Sequence, residues 1–106
     1  MDAIKSVEAL DQLWEESTKN PIVILKHSNS CPISGNAYDE MTKIFSPISL
    51  VIVQERRDIS NAIEKKSGIE HESPQVLILK DKKVVWNASH RQVTAENVEA
   101  ALGKLK

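Results

Sequence analysis

Ile22-Val23-Ile24-Leu25-Lys26-His27-Ser28-Asn29-Ser30-Cys31-Pro32-Ile33-Ser34-Gly35-Asn36-Ala37-Tyr38 carries the chain from an apolar run, through a short polar stretch, to its only cysteine and on past a proline. The run Ile22 to Leu25 reads as a strand buried on both faces of a parallel or mixed sheet. Pro32 fits the first position of a helix, where its missing N–H would be unpaired in any case, so a helix is expected from Pro32 to about Phe45 with Cys31 as its N-cap. Its buried stripe would be Ile33, Ala37, Met41, Ile44 and Phe45, and Ser46-Pro47 would end it.

An N-cap cysteine places its sulfur before the backbone N–H groups of Ile33 and Ser34. Those donors and the positive end of the helix dipole favour thiolate over thiol. A cysteine at roughly 6.5 instead of 8.5 is about three-quarters thiolate at pH 7, a gain of about 25-fold over the ordinary thiol. A Brønsted slope near 0.45 returns about eightfold of that in lost nucleophilicity, leaving a net factor of about three for attack. The larger benefit falls on Cys31 as a leaving group. A lone cysteine is commonly a small buried hydrophobe, but core cysteines occupy periodic apolar positions, and Cys31 lies between Ser28-Asn29-Ser30 and Pro32, outside any apolar period.

Outward from this stretch the pattern alternates. Ser6 can cap a helix bearing Val7, Leu10, Leu13 and Trp14 at helical spacing, stopped by Asn20-Pro21. Leu50-Val51-Ile52-Val53 is a second buried run, and the helix between the two runs makes a crossover connection to a parallel neighbour natural. Asp58 is expected to cap a helix carrying Ile59, Ala62 and Ile63, with Lys65 and Lys66 in its last turn and Gly68 as its stop. Val76-Leu77-Ile78-Leu79 and Val84-Val85-Trp86 flank Lys80-Asp81-Lys82-Lys83, the pattern of a tight antiparallel hairpin. Thr94 caps a last helix, with Val93 and Val98 at the hydrophobic-staple positions and Val98, Ala101, Leu102 and Leu105 as its stripe. The order is α-β-α-β-α-β-β-α.

The 106 residues suit one domain, 1–106, with a core that needs neither disulfide nor metal. Fourteen basic against fifteen acidic residues leave a net charge of −1, which gives no electrostatic footprint for nucleic acid or a membrane surface. The N-terminus lacks a basic stretch followed by an apolar one, no apolar run reaches membrane-spanning length, and the expected location is the cytoplasm. Three glycines form no phosphate-binding loop, and no histidine–carboxylate cluster has metal-ligand spacing, so no metal is expected.

That order of elements, with a cysteine after the first strand, resembles the thioredoxin-like fold: an α/β domain with a central four-stranded mixed sheet flanked by helices. Ser73-Pro74, directly before the third strand, resembles the cis-proline that faces the active-site cysteine in that fold. The resemblance, not the low general frequency of cis bonds, carries this expectation. It implies that the Ser73 backbone is a free strand edge for substrate. Cys31-Pro32-Ile33-Ser34 resembles the Cys-Pro-x-Cys of dithiol glutaredoxins with serine in place of the second cysteine. Ser30-Cys31-Pro32-Ile33-Ser34, together with Trp86-Asn87-Ala88-Ser89-His90, is similar to the monothiol bacilliredoxins, whose motif reads Thr-Cys-Pro-Ile-Ser. Ser30 keeps the hydroxyl of that threonine.

The resemblance implies removal of bacillithiol, a low-molecular-weight thiol, from S-bacillithiolated client proteins, with bacillithiol as the exchanging thiol. Cys31, Pro32 and Ser34 would form the catalytic turn, and Ser30, Ile33, Ser73, Pro74, Ser89 and His90 would contact substrate. With serine at 34 there is no resolving thiol, so the chain can only exchange one mixed disulfide for another. Ser34 either hydrogen-bonds the Cys31 sulfur or is merely a polar first-turn residue. Bacillithiol carries carboxylates, which call for a cationic or helix-N-terminal site. Ser89, His90, Arg91 and Thr94 lie before the last helix, where glutaredoxin-like proteins hold the charged part of their thiol. Lys26 and His27 either raise the local potential around Cys31 or are merely an exposed strand-end pair, the commoner case; Arg56, Arg57 and His71 carry less signal. Three other classes stay open: an iron–sulfur protein, in which Cys31 alone cannot supply four ligands and two chains must share the cluster; a non-enzymatic adaptor, in which Cys31 is inert; and a one-cysteine peroxidase, which lacks an arginine convincingly placed beside the thiol.

Overall fold

A computed structural model describes residues 1–105. The elements in chain order are β1 (Asp2–Ala3), α1 (Val7–Glu16), β2 (Ile22–His27), α2 (Pro32–Met41), β3 (Ile48–Ile52), α3 (Arg57–Ser67), β4 (Gln75–Lys80), β5 (Lys83–Ser89), a 3-10 turn (His90–Gln92) and α4 (Ala95–Gly103). The sheet runs β1-β3-β2-β4-β5. β2 lies parallel to β3 and antiparallel to β4, and β4 and β5 form the hairpin. This is a thioredoxin-like α/β architecture, with one strand more than the four expected. β1 pairs only Asp2 with Ser49 and Ala3 with Leu50, and two residues are too few to show an alternating pattern.

Alternation along the buried strands splits the core between the two faces of the sheet. Val23, Leu25, Val76 and Ile78 meet Ala37 and Met41 of α2 and Val98 of α4; Ile24, Leu77 and Leu79 meet Leu10 of α1 and Ile59 and Ile63 of α3. Each such side chain removed from water contributes about 1.5–3 kcal/mol before the entropy of ordering is counted. Ser6 accepts from the Ala9 N–H at 3.0 Å, and Thr94 from the Asn97 N–H at 3.1 Å, so both expected caps are formed. Gly68 ends α3 at φ 71°, a left-handed conformation that glycine adopts without strain. The hairpin turns through Asp81 and Lys82, both at positive φ as a type I′ turn requires. Ser17 holds this turn in place: its carbonyl accepts the Asp81 N–H at 2.8 Å and its Oγ the Lys82 N–H at 2.9 Å.

Several helix boundaries differ from expectation. α1 stops at Glu16, short of Asn20-Pro21, where the Ser17 and Thr18 hydroxyls bond the Trp14 and Glu15 carbonyls. α2 stops at Met41, not at Phe45. The Thr42 hydroxyl bonds the Asp39 carbonyl at 2.6 Å, and the next amides bond three residues back, Lys43 to Glu40 and Ile44 to Met41. Ile44 stays buried, but the tightened turn swings Phe45 fully into solvent. At α3 the N-cap is Arg56, not Asp58. The Asp58 carboxylate turns back to a two-pronged pair with the Arg56 guanidinium, at 3.1 and 2.8 Å, instead of capping the helix.

Lys26 is the largest departure. It continues the Ile22-Ile24 alternation onto the α3 face and is fully buried there, opposite Gln75 in the register. Neither Lys26 Nζ nor Gln75 Oε1 has a hydrogen-bond partner among the described residues. Burial disfavours the charged form and lowers the Lys26 pKa from 10.5 to about 8, partly offset by the nearby carboxylates of Glu64 and Glu72. The unfolded chain therefore holds this proton more tightly than the folded one. The folded state carries a penalty on the order of 3 kcal/mol at neutral pH, which fades as pH rises from about 8 towards 10.5.

Replacing Lys26 with methionine keeps the length and removes the charge. Lys26→Met is expected to raise stability at pH 7 by about 1–3 kcal/mol, and its advantage over wild type should shrink above pH 8, where the lysine sheds its proton. Urea unfolding of both proteins at neutral and alkaline pH checks this. A difference that stays constant with pH would show that Lys26 is not a buried cation.

Candidate active site

Strand β2 delivers the chain to Ser28-Asn29-Ser30, and a polar side chain from beyond β3 fixes this loop. Gln54 Nε2 donates to Ser28 Oγ at 2.7 Å and Ser30 Oγ at 3.1 Å, while Gln54 Oε1 accepts the Asn29 N–H at 3.1 Å. Sequence reasoning missed Gln54. It follows an apolar run with no spacing that ties it to the cysteine. Ser30, an expected substrate contact, is thus part of the loop's own hydrogen-bond network.

Cys31 is the N-cap of α2, extended at φ −112° and ψ 121°, with Pro32 opening the helix as expected. It is a free thiol, half-buried. No N–H closes a formal cap on the sulfur, and the Ser34 amide bonds the Cys31 carbonyl at 3.0 Å, so what acts on Sγ is chiefly the orientation of these dipoles. They suffice to lower the thiol pKa: the Ser34 amide is the largest contribution, partial burial opposes it, and the Ile33 amide and the Ser34 hydroxyl reinforce it. Ser34 is fully buried, and its Oγ accepts the Ser28 N–H at 3.3 Å. That bond engages a lone pair and leaves the hydroxyl proton available to the sulfur. The bond to Ser28 is a structural role for Ser34 beyond the polar first-turn residue that the sequence suggests.

Lys26 is absent from the influences on Cys31; it acts on the far face of the sheet, where after burial it is the next influence lowering the His71 pKa. His27 is half-buried, with its ring edge-on to Tyr38 at 5.4 Å. Arg56 is committed to Asp58 and to the Lys5 carbonyl.

Next to Cys31 lies a groove of about 320 Å³. One wall is Pro32, Ile33, Asn36, Ala37 and Glu40; the other is His90, Arg91, Val93 and Thr94. Ser89 lines a separate groove of about 660 Å³ between β5 and α4, with Trp86 and Asn87. The Ser73-Pro74 peptide is cis. Its turn is joined to the groove, because the His90 N–H donates to the Pro74 carbonyl at 2.9 Å and His90 Nε2 meets Glu72 Oε2 at 2.8 Å. His90 makes these contacts at φ 54°, a left-handed conformation uncommon outside glycine. Ser73 lies just outside the β2–β4 pairing, half-buried.

Two of the first amides of α4 are bonded by side chains within the chain. Thr94 accepts the Asn97 N–H, and Glu40 Oε1 accepts the Ala95 N–H at 3.1 Å. Lys43 bonds the other Glu40 oxygen, and that pairing, followed by the Ala95 amide, holds the Glu40 carboxyl below its ordinary pKa. Glu40 shares a helical face with Ile33 and Ala37, a spacing that could have marked it as a groove residue. Among the described residues no three or more His, Cys, Asp or Glu side chains gather as a metal site, and no helix is long and apolar enough to cross a membrane.

Comparison with known proteins bears on the family and the fold. The family model described as Monothiol bacilliredoxin BrxC matches residues 2–98. A solved structure, described as a candidate oxidoreductase with a thioredoxin fold, is 35% identical and superposes with a TM-score of 0.87 over 94% of this chain and 91% of its own. Thioredoxin from Fasciola hepatica matches over the whole of both chains at 15% identity with a TM-score of 0.78. Mitochondrial thioredoxin 3 from Saccharomyces cerevisiae is 16% identical over 90% of this chain and 89% of its own, with a TM-score of 0.65. These last two likenesses bear on the fold alone.

Ser34→Ala removes the hydroxyl that faces Cys31 and leaves the helix amides in place. The Cys31 pKa is expected to move upward but to stay below that of a free cysteine, because the amides remain. Ultraviolet titration of the thiolate checks it; an unchanged midpoint would reduce Ser34 to its bond with Ser28.

Proposed function

The chain belongs to the monothiol bacilliredoxin family, and from that premise we propose that it removes bacillithiol from S-bacillithiolated proteins by thiol–disulfide exchange at Cys31. The observation that carries the reading is a half-buried thiol with a lowered pKa at the first turn of α2, beside a small groove and without a second cysteine in the sequence. In the first step the Cys31 thiolate attacks the bacillithiol sulfur of the mixed disulfide. A bond forms from Cys31 Sγ to that sulfur, and the bond to the client sulfur breaks. The client leaves as a thiolate, which takes a proton from solvent, and no net oxidation occurs. A second low-molecular-weight thiol then attacks the mixed disulfide on Cys31, leaves carrying bacillithiol as a small disulfide, and restores the Cys31 thiolate.

The chemistry of the turn suits the second step best. A thiolate stabilised by the Ser34 and Ile33 amides is a good leaving group, so regeneration is where the lowered pKa helps most. Ser34, in the position of a resolving cysteine, closes off the intramolecular route and leaves the outcome to an external thiol. The cis turn at Ser73-Pro74 and its link to His90 would present the client's backbone and the small thiol to Cys31 together. The first step needs Cys31 reduced and the second a reduced small thiol, which suits the cytoplasm, and the partners would be client proteins and the small thiol, not nucleic acid or membrane.

Intact-mass spectrometry of reduced protein mixed with a bacillithiolated client tests this. The mass of bacillithiol is expected to move to the wild-type chain and not to Cys31→Ala, and to move more slowly from a glutathionylated client. No transfer from either client, with Cys31 shown to be reduced, would contradict it.

A further inference from the structure

On the α3 side of the sheet, away from the groove, a buried cation stands among groups that hold a loop. Lys26 is completely buried near the end of β2, and neither its Nζ nor the Oε1 of Gln75, its neighbour across the ladder, has a hydrogen-bond partner among the described residues. The carboxylates of Glu64 and Glu72 attract it, yet none of the ion pairs among the described residues includes it. Each of these neighbours also ties down the stretch that joins α3 to β4, which has no helix or strand of its own. Glu64 Oε2 accepts the His71 N–H at 2.6 Å, and Gln75 Nε2 donates to the Glu70 carbonyl at 3.1 Å. Glu72 Oε2 meets His90 Nε2 at 2.8 Å, and the His90 N–H bonds the Pro74 carbonyl at 2.9 Å. The His71 ring, 3.4 Å from Ser60 Oγ, faces the same cation.

We propose that Lys26 is a positioning residue for the client: its buried charge draws Glu64 and Glu72 inward, and through them holds the Ser73-Pro74 turn and His90 where a client meets Cys31. The proposal deepens the exchange reading and rests on it. An apolar side chain of this length would pack at the site at less cost to the fold. A charge kept there against stability is the kind of local conflict that folds carry at functional positions. The low dielectric around Nζ lets its charge act on both carboxylates without a direct pair. Without that charge nothing draws the two carboxylates inward, Glu64 is exposed and Glu72 half-exposed, and water competes for their bonds to His71 and His90. Cys31 lies beyond this influence. The signature is therefore a looser turn beside an unaltered thiol.

The experiment compares wild type, Lys26→Met, Glu64→Gln and the double variant, with Lys26→Gln as a second neutral replacement that keeps a polar end. Amide hydrogen exchange is read by nuclear magnetic resonance at His71 and His90, with Ile24 and Leu77 in the strands as controls. Transfer of bacillithiol from a folded client is read by intact mass, and reactivity of the thiol by iodoacetamide. In Lys26→Met the His71 and His90 amides are expected to exchange about 3- to 10-fold faster, the size of coupling through a side-chain network, while the strand amides do not speed up. Client transfer should fall by a similar factor, mainly through KM, and alkylation of Cys31 should keep its rate. Glu64→Gln keeps an oxygen for the His71 N–H and removes one of the two carboxylates, so Lys26→Met should do less in that background. Unchanged loop amides and client transfer in both neutral replacements, or an equal loss of transfer and alkylation, would overturn the role of Lys26 and leave exchange at Cys31 standing. A wild-type chain that takes no bacillithiol from the client would overturn the exchange reading itself, and the client role of Lys26 with it.

Discussion

One turn of helix, the start of α2, sets the character of Cys31. Its amides are aimed towards the sulfur because Pro32 opens the helix where no N–H is needed and Cys31 is left as the cap. Dipoles act this way only if they are held still, and the surrounding structure supplies that rigidity. β2 is paired on both edges, Gln54 ties down the loop that leaves it, and buried Ser34 joins the loop's Ser28 to the helix. The thiolate needs no buried counter-charge. The buried lysine of β2 faces the opposite helix layer and does not contribute to Cys31.

The second constraint is how charge is distributed around the groove. Glu40 and Thr94 satisfy the start of α4, and Glu72 and Pro74 engage His90, so the polar groups of the fold there are mostly committed to the fold itself. The cap of the opposing helix, Cys31, carries the free thiol beside this groove. With serine at 34 and no second cysteine in the sequence, no disulfide can close within the chain. In the proposed exchange the adduct must therefore leave with an external thiol, which makes the leaving-group quality of Cys31 more important than its strength in attack.

Much of the fold was legible because its signals are local. Continuous apolar runs marked β2, β3 and β4, Ser6 and Thr94 marked helix starts, and Gly68 marked a stop. The exceptions are local competitions that sequence does not rank. The Thr42 hydroxyl competes for the Asp39 carbonyl and shortens α2, and Arg56 draws Asp58 away from its cap. β1 is a two-residue pairing that exists only because β3 lies beside it. At the site, Cys31 and Pro32 were readable from position, whereas Gln54 and Glu40 act across distances in sequence that only folding closes. Lys26 was misjudged because its charge outweighed its parity. Alternation from Ile24 pointed inward, and alternation was right.

The most direct measurement of the central claim is the pH dependence of Cys31 alkylation in the reduced wild-type protein. A rate that reaches half its plateau clearly below the pH at which free cysteine does so is the expected result, since the α2 amides favour the thiolate. A midpoint at or above that of free cysteine would mean that the helix start does not activate the thiol, and the exchange chemistry built on it would fall.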